Sequence, residues 1–92
     1  MTGLAIDFHN IPGAMMRVLN CVTRRGLLME AVWCTPAGGH HRATVLVEAS
    51  PVTITQIVRE LISTVGIDSV EELSPSQVTE LIQSYPAQTV NS

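Results

Sequence analysis

The side chains of this chain able to hold a metal or move a proton belong to three histidines, two cysteines and eight carboxylates. Their spacing argues against both kinds of chemistry. His40 and His41 are adjacent, so in an extended segment they point to opposite sides and do not serve one ion. His9 and Cys34 do not complete a metal-ligand pattern with them, and Cys-x-x-Cys is absent. The three histidines are therefore expected to be exposed, and no metal site and no catalytic residue is expected. Cys21 and Cys34 do not make a disulfide framework and are expected to behave as small hydrophobes. Asp7, Asp68, Glu71 and Glu72 form no general acid–base pair, and Glu71–Glu72 reads as a solvated strand end.

Binding chemistry concentrates in one stretch, His9-Asn10-Ile11-Pro12-Gly13-Ala14-Met15-Met16-Arg17-Val18. Pro12 lacks an N–H and has a fixed φ, so it breaks regular structure. Gly13 permits a backbone shape or a close approach that a Cβ would block. A helix that starts here presents free N–H donors and a partial positive charge, which suit a carboxylate. Asn10 adds an amide that can donate and accept.

The elements on either side must hold that bend. Leu4, Ile6 and Phe8 alternate, so a first strand is expected over Leu4–His9. Met15, Val18, Leu19 and Val22 recur at helical spacing, predicting a helix over Gly13–Arg25. Arg24 and Arg25 would complement the dipole of its last turn, and Gly26 would end it. Leu27–Cys34 reads as a second strand, apolar except for Glu30, with both faces covered or one face meeting a second subunit. Its Trp33, the sole tryptophan, fits either a core or an interface. The breaker-rich Thr35–His40 is a turn. His41–Ala49 alternates as a third strand, paired as a hairpin with the second.

Ser50 and Pro51 are an N-cap and an N1 residue, with Thr53 and Gln56 an alternative capping box. Ile54, Ile57, Val58, Leu61, Ile62 and Val65 form the cleanest amphipathic stripe. Gly66 is expected to stop that helix. Ile67–Leu73 is a fourth strand, with Val70 and Leu73 inward. The order βαββαβ predicts an α+β, ferredoxin-like fold: an antiparallel four-stranded sheet with both helices on one face. Residues 1–73 are expected to be the domain and 74–92 a tail. Val78, Leu81, Ile82 and Tyr85 predict a short helix over Ser76–Tyr85, ended by Pro86 and followed by a frayed end.

Composition narrows the function classes. The chain has 92 residues, 46% hydrophobic, with only three aromatics, so the core must be aliphatic. A net charge of −3, carried against five arginines and no lysine, disfavours nucleic acid and acidic membranes as partners. No apolar run is long enough to span a membrane, and no signal-peptide pattern opens the chain, so the cytoplasm is expected. A chain this short is often helped by oligomerisation.

Asn10-x-Pro12-Gly13-Ala14, then Arg17-Val18, Arg24-Arg25-Gly26 and Glu30, resembles the opening of an ACT domain. It is similar in particular to the small, regulatory subunit of acetohydroxyacid synthase (acetolactate synthase). Val47-Glu48-Ala49-Ser50-Pro51 and the helix after it extend the resemblance to about residue 73 and fit the short, single-ACT form. Longer members carry a further C-terminal domain, and none is expected within residues 74–92.

The resemblance implies a noncatalytic subunit that activates a catalytic large subunit in branched-chain amino acid synthesis. Thiamine diphosphate, magnesium and FAD would belong to that partner, and this chain would hold no cofactor. It also implies a homodimer or higher homo-oligomer that binds a branched-chain amino acid between protomers. The implied effector site comprises Asn10, Ile11, Pro12, Gly13, Ala14, Leu28 and Met29. Leu28 departs from the family, which often has an asparagine there, and its apolar side chain cannot hydrogen-bond a ligand. A free-standing amino-acid sensor is the competing expectation, and a dimer with neither ligand nor enzyme a third. Two other ferredoxin-like functions lack their residues. The His9–Gly13 loop has no arginine for an acylphosphatase, and no cysteine pair for a heavy-metal chaperone.

Overall fold

The computed structural model describes residues 1–9, 11–25, 28–36 and 38–89, with side chains through residue 84. The elements run β1 (Thr2–Phe8), α1 (Ala14–Thr23), β2 (Met29–Pro36), β3 (His41–Val47), α2 (Pro51–Ile62), β4 (Ile67–Glu72) and α3 (Pro75–Thr89). The four strands form one antiparallel sheet in the order β2-β3-β1-β4. This is the ferredoxin-like arrangement of an ACT domain. Among the described residues no helix is long and apolar enough to cross a membrane.

Alternation along the strands divides the sheet into two faces. Leu4, Ile6 and Phe8 of β1 and Ala43, Val45 and Val47 of β3 join α1 and α2 in the main core. Helix α2 gives Ile54, Ile57 and Leu61 to that core, capped as expected by Ser50 Oγ, which accepts from the Thr53 N–H at 3.2 Å. Helix α1 gives Ala14, Val18, Cys21 and Val22. The buried face is thus rotated from the expected stripe, and Met15 and Leu19 are only half-buried. Small side chains at Ala14 and Cys21 let the helix lie close to the sheet.

The helix ends also differ from expectation. Helix α1 stops at Thr23, so Arg24 and Arg25 lie beyond it. Arg25 still serves its C-terminus, donating from Nη1 to the Cys21 carbonyl at 2.8 Å and from Nη2 to Glu60 Oε1 at 2.9 Å. Arg24 also pairs with Glu60, so Glu60 of α2 ties the two helices together. The expected stop at Gly26 and strand residue Leu27 lie outside the described residues. Helix α2 ends at Ile62, four residues before Gly66, leaving Ile62 60% and Val65 75% exposed. Ser63 and Thr64 there bond back to helix carbonyls, which favours termination.

Strand β2 is an exposed edge, not a strand covered on both faces: it contributes no buried residue. Trp33 is half-buried on the sheet face away from α1 and α2.

The tail forms α3. Ser74 and Gln77 make a reciprocal capping box, Ser74 N–H to Gln77 Oε1 at 2.8 Å and Gln77 N–H to Ser74 Oγ at 3.3 Å. The helix runs past Pro86 to Thr89, since a helix can pass a proline by giving up one i→i−4 bond. It packs on the second face of the sheet, where Val78 is buried. A Cβ on Gly3 would lie 3.0 Å from both Leu73 Cδ1 and Val78 Cγ2, and 3.1 Å from Leu46 Cδ2. Gly3 is therefore the slot into which α3 seats.

Candidate functional site

The bend between β1 and α1 is a hydrogen-bonded turn. Ala14 N–H donates to the Ile11 carbonyl at 3.0 Å, and Gly13 has φ 81° and ψ −3°. Proline first and a positive-φ glycine second is the signature of a type II turn. Arg17 N–H then donates to the Gly13 carbonyl at 3.0 Å, opening α1. Gly13 is the N-cap residue and offers no side-chain cap, so donors of the first turn are left for another acceptor. A Cβ on Gly13 would meet nothing within 4 Å. The glycine serves the turn's backbone geometry and leaves open space above it.

A second turn braces the first. His9 N–H donates to the Gly66 carbonyl at 2.9 Å, and Ile11 N–H to the His9 carbonyl at 2.8 Å. Gly66 sits at φ +93°, and a Cβ there would lie 3.1 Å from Ile11 Cδ1. His9 Nδ1 is 2.8 Å from Asp68 Oδ1. The bend is thus pinned to the α2–β4 turn through backbone bonds, the Ile11 side chain and this pair. Ile11 and Val65 leave an apolar surface beside it.

The expected site residues fall into two groups. Ile11, Pro12, Gly13 and Ala14 are together at the bend, where Ala14 is buried and the other three are exposed. Asn10 lies outside the described residues. Leu28 and Met29 are not brought to them. In the sheet register Met29 pairs with Val47, which pairs with Thr2, whereas Pro36 pairs with His41, which pairs with Phe8. Met29 is therefore level with the start of β1 and the bend with its end, about 20 Å away at the rise of a strand. Leu28 is 72% exposed.

The polar residues distribute elsewhere. Asp7, on the second sheet face, accepts a bidentate pair from Arg42, Nε to Oδ1 at 2.8 Å and Nη2 to Oδ2 at 3.0 Å. Ser69 Oγ donates to Oδ2 at 3.0 Å, and His40 Nε2 is 3.7 Å from Oδ1. The Arg42 bond holds the Asp7 carboxyl below its ordinary range. The alternation of β1 and β3 could have flagged this opposed Asp–Arg pair. His41 stacks on Phe8 with ring centroids 5.9 Å apart. Burial pushes the Cys21 thiol up to about 11, with Glu60 adding to the shift. Among the described residues no three His, Cys, Asp or Glu side chains are placed to hold a metal ion. The bend offers backbone donors and apolar walls, which is equipment for binding a small carboxylate.

The sheet order, the two helices on one face and a glycine turn opening α1 define the class: this is an ACT-domain fold. The ACT domain of GTP pyrophosphokinase from Chlorobium tepidum shares it at a TM-score of 0.69 and 14% identity, covering 78% of this chain and 95% of that one. The regulatory subunit of aspartate kinase from Thermus thermophilus shares it at 0.59 and 10% identity, covering 79% and 50%. More specific is the acetolactate synthase small subunit from Thermotoga maritima, 26% identical over 80% of this chain with a TM-score of 0.70. This chain spans about half, 47%, of the length of that protein. No family model matches the sequence, and no curated protein matches it.

Proposed function

We propose that this chain is a noncatalytic regulatory small subunit of acetohydroxyacid synthase, acting in the cytoplasm on branched-chain amino acid synthesis. The observation that carries the reading is the 26% identity and 0.70 TM-score to the acetolactate synthase small subunit from Thermotoga maritima. The Asn10-x-Pro12-Gly13 bend, with its positive-φ glycine, supports it. The catalytic large subunit would hold thiamine diphosphate, magnesium and FAD. The small subunit would act by binding one conformation of that partner more tightly and shifting its population.

The effector site is proposed between two copies of the chain. Within one copy the bend and Leu28–Met29 lie at opposite ends of the sheet. Edge strand β2 runs parallel to β1. Antiparallel pairing of β2 with the β2 of a second copy would bring that copy's Leu28–Met29 end level with this copy's bend. The unpaired edge and its exposed Val32 favour such a cover. The α1 N-terminus would take the carboxylate of a branched-chain amino acid, with Ile11 and Leu28 supplying apolar wall. An apolar Leu28 lowers the number of polar contacts to the ligand and makes activation, more than feedback sensitivity, the main role.

The test is reconstitution. The chain is titrated into a limiting amount of a purified acetohydroxyacid synthase large subunit from the same organism, and acetolactate formation is followed. A saturable rise supports the reading. A flat response with an independently active large subunit contradicts it.

A further inference from the structure

The helices on the two faces of the sheet are held very differently. On the first face α1 gives four buried side chains to the core and α2 gives three, and Glu60 joins the two helices. On the second face α3 is alone. Among residues 75–84 only Val78 is buried, with Leu81 half-buried. Val78 seats over Gly3, beside Leu73 and Leu46. The polar bonds of residues 75–84 are local. Ser74 pairs with Ser76 and Gln77, Thr79 Oγ1 donates to the Pro75 carbonyl at 3.0 Å, and Ser84 Oγ donates to the Leu81 carbonyl at 3.2 Å. No side-chain hydrogen bond or ion pair from these residues reaches the sheet. Beyond Val78 the helix stands off. An open cleft of about 430 Å³ lies there, with Ala5, Arg42 and Thr44 on the floor and Glu80, Leu81 and Ser84 on the helix. Upstream, the Leu73 N–H donates to the Gly3 carbonyl at 2.8 Å. The chain is fixed to the sheet up to that bond, and Ser74-Pro75 is the pivot.

We propose that α3 is a strap that opens and closes over the second face of the sheet while the rest of the domain stays folded. A helix of this length is marginal in water by itself, so α3 owes its order to docking. Burying one valine-sized side chain favours the closed form over the open one by about 10–100-fold. Strands β1 and β3 open only when the main core comes apart, and a folded domain resists that by at least about 1,000-fold. The strap is thus a low-stability unit on a stable sheet. Opening bares a strip made by Gly3, Ala5 and Leu46, of which Ala5 is 4% and Leu46 2% exposed in the closed form. A partner that takes this strip must bind the open form, so closure weakens its binding by the same factor of about 10–100. The strap works apart from the β1–α1 bend, which lies at the other end of β1 from Gly3.

The test is amide hydrogen exchange of the full chain, read residue by residue by NMR. In wild type, the amides of residues 79–84 should be protected about 10–100-fold and those of β1 and β3 at least about 1,000-fold. Gly3→Val fills the slot with a residue that suits a strand. The atoms its Cβ meets, on Leu73, Val78 and Leu46, are all side-chain atoms. It should bring residues 79–84 to the rates of an unprotected chain while β1 and β3 stay protected. Val78→Asp removes the anchor from the helix side and should do the same, and it serves as the second variant should Gly3→Val fail to fold. Gln83→Ala, at an exposed helix position, should change nothing. Fluorescence of 1-anilinonaphthalene-8-sulfonate, a dye that reports exposed apolar surface, should rise in folded Val78→Asp protein. Residues 79–84 that exchange as slowly as β1 and β3 in wild type would overturn the proposal, because α3 would then open only with the whole domain. So would a wild-type α3 with no protection, a folded Val78→Asp protein with wild-type exchange in α3, or one that binds no more dye than wild type.

Discussion

Replacing Gly66 with alanine tests whether the bend and the α2–β4 turn act as one unit. Gly66 has φ +93°, where an L side chain is strained, and its new Cβ would lie 3.1 Å from Ile11 Cδ1. The backbone term is about 1–2 kcal/mol for a non-glycine residue in a left-handed conformation. Pushing Ile11 off its rotamer adds about 0.5–1.5 kcal/mol. At about 4–8 °C per kcal/mol for a domain of this size, the melting temperature should fall by about 15 °C. Gly13→Ala is the control. Its φ is also positive, at 81°, but its Cβ meets nothing within 4 Å, so only the backbone term applies. The assay is thermal unfolding by circular dichroism of both variants, with Ile11→Ala added to each. Ile11→Ala should recover part of the loss in the Gly66→Ala background and none in Gly13→Ala, a coupling that a double-mutant cycle isolates. A Gly66→Ala protein as stable as Gly13→Ala, with no coupling to Ile11, would refute the packing argument.

Other outcomes follow from the same geometry. The Asp7 carboxyl is held below its ordinary value of 3.8, chiefly by Arg42. Its contribution to stability is therefore full above that value and is lost as pH falls through the depressed folded value. An acid titration of stability should show a shallower acid limb in Asp7→Asn than in wild type. Thiol labelling should modify exposed Cys34 first and spare buried Cys21, whose thiol sits at about 11, until denaturant is added. Val32→Lys places like charges opposite each other near the centre of a paired β2 edge, so size-exclusion chromatography should show weaker dimerisation at low salt than at high salt.

The sequence carried the fold through its periodicities. The alternation of Leu4, Ile6 and Phe8, and of Ala43, Val45 and Val47, marked the inner sheet face, and Ser50-Pro51 marked the start of α2. Helix ends were less legible because they depend on local bonding. Ser63 and Thr64 close α2 through their own hydroxyls well before the glycine. The rotation of α1 was hidden because Ala14 and Cys21 read as weak core residues, yet close packing on a sheet favours them over Met15 and Leu19. The exposed β2 edge was hidden because its apolar residues do not report whether a strand lies at the edge or in the middle of a sheet. At the bend, Pro12 and Gly13 announced the turn, but the brace from Gly66 joins residues 55 positions apart that no local pattern connects. The separation of Leu28 and Met29 from the bend follows from strand order, which only the assembled sheet displays.

The most direct measurement of the central claim is calorimetric titration of the purified chain with valine, leucine and isoleucine, repeated with Gly13→Asp. The new side chain carries the left-handed backbone strain of φ 81°, about 1–2 kcal/mol, but its Cβ meets nothing within 4 Å. A thermal melt is run to establish that the variant folds while it places a carboxylate at the proposed position of the ligand's own. The account predicts saturable heat with at least one of the three in wild type and none in Gly13→Asp. Binding that persists undiminished in the variant, or no heat from any of the three, would contradict an effector site at the β1–α1 bend.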